Sequence, residues 1–385
     1  MTPKSALFEM RARLARRLGR RVRLWLALYL ALVLALFGMA LCALSLLWRG
    51  FNEAAPARML AWAVWAGLSG GGGLCLAALL VRPLPGPQGI RVQPRCAPEL
   101  HALVRRMGDR LGAGAVAQIW ISPEMNAALV QRPAWGCLGP VRSHLMLGFP
   151  LLHSVSAEQL EAILAHELAH LARQRSGREA VDAHLRALWI RLMDRACGCL
   201  PDALASVCER YCRDMLRLSR LEEYEADAVA ATLVGPARMA SALVEVELKA
   251  RFLDSEYWPA VMAHSRRHPQ RPLHPYREMG RRVERVFLRD ACGSVRAGAE
   301  DREPGQGPHP VLRQRLHLLH ASSAATPVGG PSAARHYFAA MLPDVAWAFD
   351  LIWRAAARQD SARRRAAAIF MRRVETVTGP RGYRR

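Results

Sequence analysis

Ser156-Ala-Glu-Gln159-Leu-Glu-Ala-Ile-Leu-Ala-His166-Glu167-Leu-Ala-His170-Leu-Ala-Arg173 is the stretch on which the reading of this chain turns. Ser156, with Gln159 three residues later, forms a capping box that starts a helix. Leu160, Ile163, Leu164, Leu168 and Leu171 follow at helical spacing and supply its apolar stripe. On that helix His166 and His170, four residues apart, project from one face and can ligate one zinc ion. Glu167 stands beside them, placed to take a proton from a zinc-activated water. A tetrahedral catalytic zinc also needs a third protein ligand and one open position.

The third ligand is sought downstream, in Ser219-Arg220-Leu221-Glu222-Glu223-Tyr224-Glu225-Ala226-Asp227, a helical stretch that stops at Gly235-Pro236. Glu223 and Asp227 share a helix face. One can bind the metal while the other accepts the free imidazole N–H of a ligating histidine and fixes its tautomer. Glu222 and Glu225 read as an acidic, solvated surface.

Outward from these motifs, the N-terminal part is of a different character. Leu24–Trp48 and Met59–Val81 carry no charge, and each exceeds the roughly 20 residues that cross a bilayer as a helix. We read 24–81 as a transmembrane hairpin (24–48, 59–81), an uncleaved anchor rather than a signal peptide. Residues 1–23 form a basic helix with Lys4, Arg11, Arg13, Arg16, Arg17, Arg20, Arg21 and Arg23 against one acid, Glu9. This asymmetry places both hairpin ends and everything after them in the cytoplasm. Next to the first span, Ser5–Arg23 is expected to lie along anionic headgroups.

Arginine carries nearly all of the excess charge, with 54 Lys+Arg against 32 Asp+Glu and a net charge of +22. Nucleic acid is not the expected partner, because no interleaved aromatic pattern or zinc-finger spacing accompanies the basic clusters. The 52% apolar content excludes a disordered chain. Nine cysteines without a secreted framework suit a reducing compartment, and Cys197-x-Cys199 and Cys208-x-x-x-Cys212 lack zinc-knuckle spacing. Pro83–Pro87 reads as a linker. Pro98–Leu111 has helical spacing, while Val116–Ile121 and His144–Leu147 read as short strands. Residues 82–320 form the catalytic domain and 321–385 an Arg-rich helical extension. Within the extension, Tyr337–Trp353 contains Pro343, Asp344 and Asp350 and is expected to dock on the domain rather than span.

These residues resemble the zinc metallopeptidase family of HtpX-type membrane proteases and CAAX prenyl endopeptidases. The family's zinc-helix motif matches as His166-Glu167-Leu-Ala-His170, and its third-ligand motif as Arg220-Leu-Glu-Glu223-Tyr224-Glu-Ala226-Asp227. Asn126-Ala127 and the segment from His309-Pro310 to Arg315-Leu316 are supporting matches. The resemblance implies that His166, His170 and Glu223 hold one zinc per chain, Glu167 is the general base, and Asp227 supports a ligand from behind. It implies a mainly α fold with a small β-sheet: a two-helix transmembrane hairpin plus a gluzincin-like metallopeptidase domain whose sheet edges the cleft. His309, Tyr276 and Arg315 are candidates for the oxyanion donor, and Asn126 for a substrate contact. HtpX-type proteases carry a second membrane hairpin between zinc helix and third ligand. Here Leu171–Glu222 is interrupted by Arg186, Arg191, Asp194, Arg195, Asp202 and Arg213 and cannot span. The expected activity is a membrane-anchored zinc endopeptidase acting on polypeptides at the cytoplasmic face of a bacterial inner membrane. The alternative is a catalytically silent tethered scaffold, which would have no physical need for Glu167.

Overall fold

The computed structural model describes residues 3–52, 56–83, 86–136, 138–174, 177–196, 202–268, 271–288, 309–321 and 331–357. It is mostly helical, with one small four-stranded sheet. Two long N-terminal helices, α1 (Pro3–Asn52) and α2 (Pro56–Val81), pair antiparallel, with Gly70 against Ala40 and Gly73 against Phe37. Both are long and apolar enough to cross a membrane. Their leucines, among them Leu34, Leu41, Leu60 and Leu68, stand exposed on the chain's surface, an arrangement that calls for an apolar surround.

The sheet comprises β1 (Ile90–Val92), β2 (Gln118–Ser122), β3 (Ala127–Trp135) and β4 (Leu138–Gly148), in the order β1-β2-β4-β3. β2 and β4 are parallel and the other pairs antiparallel. Between β1 and β2 lies α3 (Pro98–Leu111), which buries the predicted stripe Leu100, Leu103, Val104 and Met107. It stops at Gly112, whose φ of +63° suits a residue without a Cβ. Sequence periodicity found α3 to the residue, and found β2 and the inner half of β4, but missed β3.

The helices then follow: α4 (Phe149–Ser154), α5 (Ala157–Arg173), α6 (Gly177–Ala196), α7 (Asp202–Val234), α8 (Pro236–Phe252), a π-helical turn at Leu253–Tyr257, α9 (Trp258–Arg267), α10 (Pro275–Leu288), α11 (Leu312–Leu319), α12 (Ala333–Phe338) and α13 (342–357). The Ser156–Gln159 capping box is present at the start of α5, and Gly235-Pro236 separates α7 from α8. α5 runs through the main core, with Leu160, Leu164 and Leu168 fully buried. α13 packs Val345, Ala346 and Phe349 into the same core, as a docking helix should. Its buried Asp350 accepts the Tyr276 backbone N–H at 2.8 Å, capping the start of α10.

A second core joins the membrane helices to the rest, through Ala15, Leu18, Val22 and Leu26 of α1, Leu188 and Leu192 of α6, and Tyr211 and Leu218 of α7. This corrects the expectation for the basic N-terminus. Residues 3–23 are not a separate helix along the headgroups; they continue the first span without a break. One face is buried against protein, and Arg11, Arg21 and Arg23 pair with Glu225, Asp214 and Asp182. These carboxylates stand on α6 and α7. Cys208 and Cys212 are free thiols on α7, while Cys197, Cys199 and the arginine-rich tail beyond 357 lie outside the described residues.

Candidate metal centre

α5 and α7 pack against each other, and their contact creates the site. His166 and His170 bring their Nε2 atoms to 3.2 Å. Glu223, on α7, points a carboxylate at both: Oε2 is 3.5 Å from His166 Nε2 and Oε1 is 3.3 Å from His170 Nε2. Among the described residues these three form one group able to hold a metal ion. Taking one ligand atom from each residue, the three donors lie within 4.8 Å of one another, close enough to share one ion with ligand bonds of about 2 Å. The buried Glu223 Oε2 is ringed by nitrogens of His166, His309 and Arg315. Two imidazole nitrogens and a carboxylate turned inward together suit a divalent cation.

Asp227, one turn beyond Glu223, takes the supporting position. Its Oδ1 lies 2.9 Å from His166 Nδ1, fixing the tautomer that leaves Nε2 free for a metal. Arg315, from α11, grips the same carboxylate with two hydrogen bonds: Nε to Oδ2 at 2.7 Å and Nη2 to Oδ1 at 2.6 Å. The third guanidinium nitrogen, Nη1, sits 3.4 Å from Glu223. Arg315 therefore buttresses the ligands, and its donors are already engaged.

The electrostatics follow from burial and pairing. Burial disfavours a charged His166, but hydrogen bonds to Asp227 and Glu223 prevail and push it up to about 9 in the metal-free chain. Burial likewise opposes ionisation of Glu223 and Asp227. It is overridden by His166, His170 and His309 at Glu223, and by Arg315 and His166 at Asp227; both carboxyls are held well below the usual range. Glu167 goes the other way. Its burial outweighs the nearby histidines and raises it, while the Leu129 backbone N–H donates to it from β3. A carboxylate with a raised pKa beside a metal site is suited to exchanging a proton.

The remaining candidates divide. His309 is brought in, with Nδ1 2.9 Å from Glu223 Oε2, and is largely exposed to the cleft. Asn126 lines the same cleft, about 250 Å³ in volume, at the start of β3. Tyr276 is not brought in. It packs among Phe149, Trp258 and Phe349, and its hydroxyl donates to the Pro123 carbonyl. The prolines before α10 carry it into the aromatic core instead of the cleft.

Sequence reasoning missed two features. β3 is an edge strand whose backbone contributes to the site. Glu222 and Glu225 are not a solvated surface: Glu225 binds Arg173 of α5 and Arg11 of α1, and Glu222 approaches Arg173 and Arg186. These acids flank Glu223 and tie α7 to both α5 and α1.

Among curated proteins, the chain is similar to a protein named "Protease HtpX homolog" from Acaryochloris marina (strain MBIC 11017), 30% identical over 180 residues. That alignment covers 42% of this chain and 59% of the relative, so the chain spans about three-fifths of the relative's length. No solved structure matches. Residues 99–322 match the sequence model of peptidase family M48, a range that contains the three metal-facing side chains, Glu167, Asp227, His309 and Arg315. A match over more than half of the chain, centred on this constellation, makes it a member of peptidase family M48.

Proposed function

We propose that the protein is a membrane-anchored zinc endopeptidase in which His166, His170 and Glu223 hold the zinc and Glu167 is the general base. The observation that carries this reading is the convergence of three metal-facing donors with a half-buried, proton-prone carboxylate at the edge of a strand. When bound, the ion supplies Lewis-acid polarisation of the scissile carbonyl and makes water nucleophilic near neutral pH. Glu167 takes the proton as the water oxygen bonds to the carbonyl carbon. It then delivers that proton to the amide nitrogen as the C–N bond breaks, regenerating its own carboxylate. His309, exposed in the cleft, is the best-placed side chain to donate to the developing oxyanion.

Substrate is held by backbone pairing. The Leu129 N–H is directed to Glu167, so alternate residues of β3 turn their backbone groups away from β4 and toward the cleft. An extended peptide can add there as a further strand, with little demand on its side chains. The substrates are polypeptides, and clearing or processing membrane proteins fits a catalytic domain held on two spans at the cytoplasmic face.

The test is Glu167→Gln in full-length protein. It should retain zinc and lose at least ~100-fold in peptide cleavage. Undiminished cleavage would remove Glu167 from the mechanism. Absence of cleavage in the wild type, with zinc bound, would leave the scaffold reading.

A further inference from the structure

The tip of the β3–β4 hairpin presents a surface that catalysis does not use. Trp135 is 66% exposed and Leu138 41%, and Val130 and Val141 behind them are also exposed. Trp135 lies over Gly139, whose φ of +88° and missing Cβ make room for the indole. Below the tip, Arg132 and Arg142 face each other across the strands. Both also depress His144, behind burial as the main cause, which marks a positive field on this face.

The tip's position supplies the explanation. Gly136 packs on the end of α2: a Cβ there would lie 2.6 Å from the carbonyl oxygens of Leu80 and Arg82. The α1–α2 pairing sets Gly70 against Ala40 and Gly73 against Phe37, and the Tyr29 hydroxyl reaches the Leu76 carbonyl, so Val81 lies level with the first residues of the apolar run, between Leu24 and Tyr29. The hairpin tip therefore sits where both spans leave the bilayer. Near the same level Trp25 and Trp189 pack against each other, 5.3 Å apart and tilted by 37°, joining α1 to α6. Arg132 reaches toward Gly86, just beyond α2.

We propose that the β3–β4 tip docks into the anionic headgroup layer, with Trp135 and Leu138 inserted and Arg132 and Arg142 bound to lipid phosphates. The proposal rests on the membrane-anchored peptidase reading and names its substrate class. β3 then runs from the bilayer surface at Trp135 to Glu167 at Leu129, six residues or about 20 Å at about 3.3 Å per residue. A chain leaving the membrane beside the tip reaches the metal centre in extended form after about six residues. The favoured substrates are membrane-anchored polypeptides cut at least that far from their own span. Arg191 of α6 donates to the Gln131 carbonyl at 3.0 Å, and Pro133 has no N–H, so backbone pairing ends between the metal centre and the tip.

Two experiments on full-length protein test this. In phosphatidylethanolamine–phosphatidylglycerol vesicles doped with a photoreactive phosphatidylcholine, lipid adducts should form on residues 133–142. They should fall about tenfold in the Trp135→Ser/Leu138→Ser variant. No adduct there, while the ends of α1 and α2 are labelled, overturns the proposal. So does crosslinking of the tip to a second copy of the chain. The second experiment compares one cleavage sequence on a soluble peptide and behind a membrane anchor with spacers of increasing length. Anchored substrates should be cut only beyond about six spacer residues. The double variant should slow anchored cleavage at least tenfold and leave the soluble peptide unaffected. Equal effects on both overturn the guiding role. Failure of the wild type to cut either substrate would remove the peptidase reading while the lipid adducts stand.

Discussion

Asp227→Asn separates the support of the metal centre from its ligands. The carboxylate is almost wholly buried and saturated: Oδ1 faces His166 Nδ1 at 2.9 Å and Arg315 Nη2 at 2.6 Å, and Oδ2 faces Arg315 Nε at 2.7 Å. All three neighbours are donors, and asparagine offers one oxygen where aspartate offers two. In either amide orientation an NH₂ group meets a donor, so at least one charge-assisted bond is lost, at about 1.5–3 kcal/mol. Arg315, largely buried, also loses its bidentate counter-charge and keeps only Glu223, 3.4 Å away, which brings the expected loss of stability to about 2–4 kcal/mol. His166 loses the acceptor that fixes its tautomer, and zinc affinity should fall about 10–100-fold. Denaturant titration of metal-free protein in detergent measures the first quantity and chelator competition the second. Zinc affinity within twofold of wild type, with a stability loss below about 1 kcal/mol, would refute the role of Asp227.

Glu223→Ala removes one of three ligands, and purified protein should hold far less than one zinc per chain; near-stoichiometric metal would refute the assignment. Because His166 is raised to about 9, zinc must displace its proton, and the apparent dissociation constant should rise about tenfold per pH unit below that value. The same shift stabilises the metal-free fold. Its contribution is full below the ordinary histidine pKa of 6.5 and is lost as pH rises through about 9, so the chelated protein should melt higher at acid than at alkaline pH. Melting temperatures that rise steadily across that window would contradict it. A tag after Arg385 should resist protease in right-side-out vesicles and be cut in inverted ones; the reverse would overturn the cytoplasmic orientation.

The parts of the centre that could be read from the sequence are those fixed by local chemistry. A capping box, a 3.6-residue stripe and the four-residue spacings of His166–His170 and Glu223–Asp227 are written within single helices, and packing α5 on α7 realised them without adjustment. β3 was hidden because Ala127–Trp135 mixes Arg132 and Pro133 with apolar residues; it is a strand because β4 pairs with it. The fate of the basic residues was hidden for a related reason. A charge run states its sign, but the partner is set by the tertiary fold, and Arg11 meets Glu225 from the far end of the chain. The charges of α6 join the two cases. Arg186 and Arg191, with Asp182 beside them, keep this segment from spanning a bilayer. The structure employs those groups to hold α6 against α1, α7 and β3. Asp182 takes Arg23, Arg186 donates to the Ala15 carbonyl and approaches Glu222, and Arg191 reaches the edge of β3. Each ties α6 to a neighbouring element, so these charged side chains also connect α1 to the helix that carries Glu223.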